Sequence, residues 1–287
     1  LIPEAYITAW RQQAPWPDDT QIEQDLILSR LMVEIANHEL LGPELALRGG
    51  TCLHKLHFPE AARYSEDLDY VRSTNSGIKP YLAALGEVAT EVGLEEHSTE
   101  RSGAMVHAKF DAEPTLGAGR IRVKIEINIA ETEPLRERVG VPFAVASPWW
   151  SGEAKILTFD LEELLGTKLR ALYQRSKGRD LFDLWYAVTL EDLDVAAVVA
   201  AYRHYIGGQE FSYPELAANL EAKIEDRDFR DDLLQLVVAP PSGYDVDDAA
   251  DIVISSLGPQ LKNAPDKQEV EQGKWRQLRR RRERSSR

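Results

Sequence analysis

Cysteine is nearly absent: Cys52 stands alone in 287 residues. That excludes an internal disulfide and fits a reducing cytoplasm; Cys52 itself reads as a small apolar residue in a first helix. No apolar run approaches the roughly 18 residues that a membrane span needs. Residues 1–10 lack an apolar stretch behind a basic start, so no signal peptide is read there. The expectation is a cytoplasmic chain with no membrane contact. Several catalytic signatures are missing as well. There is no Gly-x-x-x-x-Gly-Lys-Ser/Thr phosphate loop, no His-Glu-x-x-His and no Gly-x-Ser-x-Gly elbow. His54 and His57 have helical spacing for a metal pair, but no third ligand stands out. No internal repeat is visible.

What is present is an ordinary globular composition, 43% hydrophobic and 29% charged. The net charge of −14 is unevenly spread. Residues 274–287 carry +7, so residues 1–273 carry −21. An acidic body does not suit broad coating of DNA. The basic tail reads either as a solvated end or as an arm for RNA, with Trp275 inside it.

One stretch organises the chain, LRGGTCLHKLHFPEAARYSEDLDYVR at 47–72. Residues 45–47 form an apolar run that reads as a short buried strand. Gly49 and Gly50 follow as a turn, and a helix is expected over 52–58. In the strand beyond, alternate side chains share a face, so Asp67 and Asp69 point one way while Leu68 and Tyr70 point to the core. Two carboxylates side by side repel each other unless a cation lies between them, and hard oxygen donors suit Mg²⁺. Paired glycines let backbone amides approach a phosphate. Together these features suggest a metal-dependent site for a nucleoside triphosphate.

Residues 120–129 alternate strictly, with Ile121, Val123, Ile125, Ile127 and Ile129 on one face and Arg122, Lys124, Glu126 and Asn128 on the other. This predicts a half-buried strand. Glu126 is a candidate third carboxylate; equally, it fits a surface charge paired with Lys124 or Arg122. Further strands are expected at 94–97, 104–112, 143–146 and 155–159. Trp149 and Trp150, between the last two, could stack a base or fill the core. Helices are expected over 22–41, 81–92, 161–175 (with Asp160 and Glu163 as a capping box), 179–189, 195–206, 214–224, 229–238 and 247–256. The expected fold class is α/β: a mixed sheet flanked by helices over 1–159, a helical domain over 160–261, and a basic, poorly ordered tail over 262–287.

Gly49-Gly50-Thr51 with Arg63-x-Ser65-x-Asp67-x-Asp69 resembles the AbiEii/AbiGii-type nucleotidyltransferase toxins of bacterial toxin–antitoxin systems, including the MenT-like group. The resemblance extends to Lys168, Arg179-Asp180 and Asp183, and covers roughly 45–185. It implies transfer of a nucleoside monophosphate from an NTP, with Mg²⁺ or Mn²⁺ held by Asp67, Asp69 and Glu126. It places Gly49, Gly50, Thr51, Arg63 and Ser65 on the nucleotide. Lys168, a compact mobile charge, would meet the triphosphate, and Asp180 would orient Lys168 or Arg63. The implied acceptor is RNA, above all the 3′ end of tRNA, which would block translation and arrest growth; the implied partner is a cognate antitoxin from the same operon. Two other readings stay open: nucleotidylation of a protein or small-molecule hydroxyl, and a non-catalytic module that binds nucleotide or antitoxin.

Overall fold

The alternating residues 120–129 form β5 (Ile121–Asn128), an inner strand of the sheet. The computed structural model describes residues 2–261, apart from 61, 75, 118, 191–192 and 208–210. The basic tail, and with it any RNA arm, lies outside the described residues. The other strands are β1 (Leu45–Arg48), β2 (Asp67–Arg72), β3 (Glu95–Ser102), β4 (Met105–Ala112), β6 (Val139–Ala146) and β7 (Ser151–Thr158). Their order across the seven-stranded sheet is β3-β4-β5-β2-β1-β7-β6. β2 runs parallel to β5 and β1 parallel to β7, while β1 and β2 are antiparallel, so the sheet is mixed. The α/β fold class is therefore as expected.

Helices cover the face that carries the isoleucines. α1 (Glu4–Trp10) leads into α2 (Asp19–Asn37), which starts at a reciprocal cap between Asp18 and Gln21. α2 packs on β7, β6 and β5, and α4 (Lys79–Val92) packs on α2 and β3. Beyond β7 the chain is helical among the described residues: α5 (Leu161–Gln174), α6 (Gly178–Thr189), α7 (Val195–Ile206), α8 (Tyr213–Ile224), α9 (Arg227–Asp231) and α10 (Val246–Leu261). Buried apolar residues form a continuous cluster from Ile2 through the sheet to Leu261. No described helix is long and apolar enough to cross a membrane.

Four local expectations change. The helix after β1 begins at Gly49, not at residue 52: α3 (Gly49–Cys52) runs into a π-helical turn, Leu53–His57. Gly49 enters at φ 81°, a conformation that glycine adopts without strain. The hairpin of β6 and β7 is longer than predicted, and Trp149 and Trp150 form its turn with the Arg30 guanidinium over both rings, 5.0 and 5.3 Å from their centroids. In place of the helix predicted over 229–238 there is only the short α9, which starts two residues earlier and ends at Asp231. The chain then turns so that the Leu236 carbonyl accepts from Tyr64 N–H at 2.7 Å. The capping box at Asp160 is half made. Glu163 N–H donates to Asp160 at 2.8 Å, but the Glu163 carboxylate is buried and accepts from Leu135 and Arg136 N–H instead.

Candidate active site

The parallel register of β2 and β5 sets Asp67 beside Lys124 and Asp69 beside Glu126. Alternation turns all four onto the face not covered by α2, where they form one wall of a cleft of about 360 Å³. Lys124 Nζ lies 3.0 Å from Asp67 Oδ2 and 3.0 Å from Glu126 Oε1. On β4, His107 Nδ1 reaches Glu126 Oε1 at 2.9 Å. Burial and the charge of Glu126 push the Asp69 carboxyl well above its ordinary range. Burial alone would raise Glu126 too, but hydrogen bonds with Asp69 and Lys124 hold it below its usual value. Asp67 is raised, chiefly by burial, against the pull of Lys124.

The facing wall is cationic. Arg63, Lys168, Arg170, Arg175 and Arg179 line it, while Arg48, the cross-strand neighbour of Asp69, stands on the sheet side; Gly49, Gly50 and Ser65 line the cleft as well. Most of the acids that hold these cations lie behind the wall. Asp183, fully buried, takes Arg63 Nε and Nη2 at 2.7 Å each, Lys168 Nζ at 3.0 Å and His54 Nε2 at 2.9 Å. Asp180, also fully buried, takes Lys168 at 3.1 Å and Arg175 at 2.7 and 2.9 Å. Glu131 takes Arg48 at 2.7 Å and Arg170 at 2.6 Å. Burial would raise both aspartates; Lys168 and Arg175 hold Asp180 low, and Arg63 with Lys168 holds Asp183 well below the carboxylate range.

The cleft thus gathers Gly49, Gly50, Arg63, Ser65, Asp67, Asp69, Glu126 and Lys168. Asp180 stands one layer behind, as the anchor of Lys168 and not of Arg63. Thr51 is buried outside the lining, and its hydroxyl donates to the Asp67 carbonyl at 2.6 Å, which fixes the start of β2. His54 and His57 form no metal pair. His54 Nδ1 accepts from Ala62 N–H at 3.2 Å, so its Nε2–H donates to Asp183, and burial lowers its pKa to about 4. Cys52 is buried beside Thr158, with its thiol pushed up to about 12 by burial. Trp149 and Trp150 do not line the cleft.

Sequence reasoning missed Arg48, Arg170 and Arg175. A signal existed for Arg175: Lys168, Ala171 and Arg175 are spaced i, i+3 and i+7, one stripe of the helix expected over 161–175; α5 ends at Gln174 with Arg175 as its C-cap, and all three line the cleft.

A divalent cation fits the acidic wall. The donors are all oxygen, the raised Asp69 carboxyl marks a local shortage of positive charge, and only glycine at 49 leaves room for that carboxylate, since a Cβ there would lie 2.1 Å from Asp69 Oδ2. As the side chains stand, no three Asp, Glu, His or Cys residues among those described converge on one point.

No curated protein matches the chain. Among solved structures the fold is similar to MenT4, a nucleotidyltransferase toxin from Mycobacterium tuberculosis, with a TM-score of 0.62 at 14% identity over 94% of this chain and 93% of that one. JHP933 from Helicobacter pylori is 16% identical over 91% of this chain and 99% of that one, with a TM-score of 0.49. The model of the family described as the nucleotidyl transferase AbiEii toxin of a type IV toxin–antitoxin system matches residues 30–252. With the family model spanning the sheet, both walls of the cleft and most of the helical part, the chain belongs to the AbiEii nucleotidyltransferase toxins.

Proposed function

We propose that this toxin transfers a nucleoside monophosphate from an NTP to an RNA hydroxyl, with the 3′ end of tRNA as the foremost candidate acceptor, in a reaction that needs Mg²⁺. The observation that carries the reading is the pairing of opposed walls: carboxylates on β2 and β5 stand in one cleft with lysine and arginine side chains of α5, α6 and the segment before β2. In a chain of net charge −14, so local a cluster of cations is suited to a polyanionic substrate.

Lys168, Arg63 and Arg175 are held by buried aspartates, so their charges are in place before substrate arrives. Such preorganised donors stabilise charge as it develops on a leaving pyrophosphate. Gly49 and Gly50 let the backbone come close to phosphate oxygens, with Ser65 beside them. A divalent cation held by Asp67 and Asp69, with Glu126 as a third carboxylate, would screen the triphosphate and activate the attacking hydroxyl. A cognate antitoxin is the expected partner, as the family's toxin–antitoxin description implies.

The test offers each labelled NTP with Mg²⁺ to the purified protein, together with total tRNA, total protein and a panel of aminoglycosides. Label on tRNA supports the reading. Label on protein or on an aminoglycoside moves the acceptor, and nucleotide binding with no transfer to anything would leave a binding module. Within this reading, Lys168→Ala is expected to lower transfer about 10²–10³-fold, the loss typical of one preorganised donor. Lys168→Arg should rescue only in part, because a planar fork replaces a point charge. An unchanged rate in folded Lys168→Ala protein would pass the role to Arg63 or Arg175.

A further inference from the structure

Lys124 stands where the carboxylates meet. Its ammonium bridges Asp67 and Glu126 at 3.0 Å each, and its side chain remains 35% exposed. The register makes this placement a property of the sheet: Lys124 is the cross-strand neighbour of Asp67, and Glu126 follows it on the same face as the neighbour of Asp69. Three carboxylates on one wall repel one another, and an ammonium between them offsets that repulsion. An ammonium has three donors and no lone pair, so it cannot join a metal's ligand shell. It can only contend for the same oxygens.

We propose that Lys124 is the resident counter-ion of the carboxylate wall, which a divalent cation must displace in order to bind. This rests on the reading of the cleft as a metal-dependent nucleotidyltransferase site. Metal entry then breaks two half-exposed ion pairs, so a free cation binds weakly. A triphosphate alters the balance, because its oxygens give the displaced ammonium a new partner in the same cleft. Loading of the metal is thereby tied to arrival of the nucleotide. Lys124 acts through Asp67 and Glu126, as a positioning residue.

The experiment is a calorimetric titration of Mn²⁺ into full-length, nucleotide-free protein at low salt. Lys124→Met keeps the aliphatic stem and removes the charge. Its dissociation constant for Mn²⁺ should fall about tenfold below that of the unsubstituted protein, the scale of two partly exposed ion pairs. The rise in Tm on adding Mn²⁺ should be larger in the variant as well. Lys124→Arg retains the charge and should bind Mn²⁺ within about threefold of the unsubstituted protein. Unchanged or weaker Mn²⁺ binding by Lys124→Met that melts cooperatively overturns the proposal, because a lysine that only braces the sheet does not compete. If Lys124→Met fails to fold, Lys124→Gln takes its place under the same criterion. Failure of every protein, substituted or not, to bind Mn²⁺ both alone and together with an NTP would overturn the metal-site reading itself, and this proposal with it.

Discussion

Asp67→Ala is expected to lower nucleotide transfer by at least about 10³-fold at saturating Mg²⁺, as should Asp69→Asn. The two carboxylates leave β2 on one face, and each has a cross-strand neighbour on β5 that carries charge. Residues that act as a unit are not additive, so the double variant should be hardly slower than either single one. NTP binding should largely survive, because Lys168, Arg63 and Arg175 keep their own buried partners. The stability of Asp69→Asn separates a role in chemistry from a role in folding. Asp69 sits against Glu126 with its carboxyl pushed up by burial and by that neighbour, so loss of its charge relieves repulsion. The variant should melt no lower than the unsubstituted protein while transfer collapses. More than a few per cent of activity left in Asp67→Ala would sink the assignment of this wall.

The acidic wall is legible in the sequence because it is local. Asp67 and Asp69 are two apart, Lys124 and Glu126 are two apart, and period-2 alternation alone puts each pair on one face. What alternation cannot give is the partner strand: nothing in residues 67 and 124 announces their parallel register. The cationic wall is harder to read. Arg63 comes from the segment before β2 and Lys168 and Arg175 from α5 and its C-cap, and apart from the family resemblance nothing in the sequence brings them together. Their placement depends on Asp180 and Asp183, which the resemblance singled out but which, on spacing alone, fit ordinary acids near the start of α6; both are wholly buried. The segment after α9 shows the opposite case. Its apolar residues suggested a longer helix, but Leu236 is needed at the cleft, where its carbonyl holds the chain at Tyr64. A tertiary bond overrode local periodicity there.

Asp183 should be the most sensitive position for stability. Its carboxylate lies between Arg63, Lys168 and His54, with no exposure to solvent. Asp183→Ala leaves the Arg63 guanidinium buried and stripped of both its short ion-pair bonds. Breaking a buried pair from one side typically costs about 3–5 kcal/mol, a fall in Tm on the order of 10 °C for a chain of this size. Removing the stranded cation as well should recover part of the loss. The double variant Asp183→Ala, Arg63→Met should therefore be less destabilised than the sum of the two single changes. The pH dependence identifies the mechanism. In the fold the Asp183 pKa is held well below its ordinary value, burial being outweighed by Arg63 and Lys168. In the unfolded chain it returns to about 3.9. A depressed folded pKa gives stability that is fully present above the unfolded value and is lost as pH falls toward the folded one. Denaturant melts should thus show a constant gap between the unsubstituted protein and Asp183→Ala from about pH 5 to pH 8, narrowing below about pH 4. A gap that stayed constant in acid would mean that the loss comes from the cavity left by the side chain, and that the buried charge contributes little.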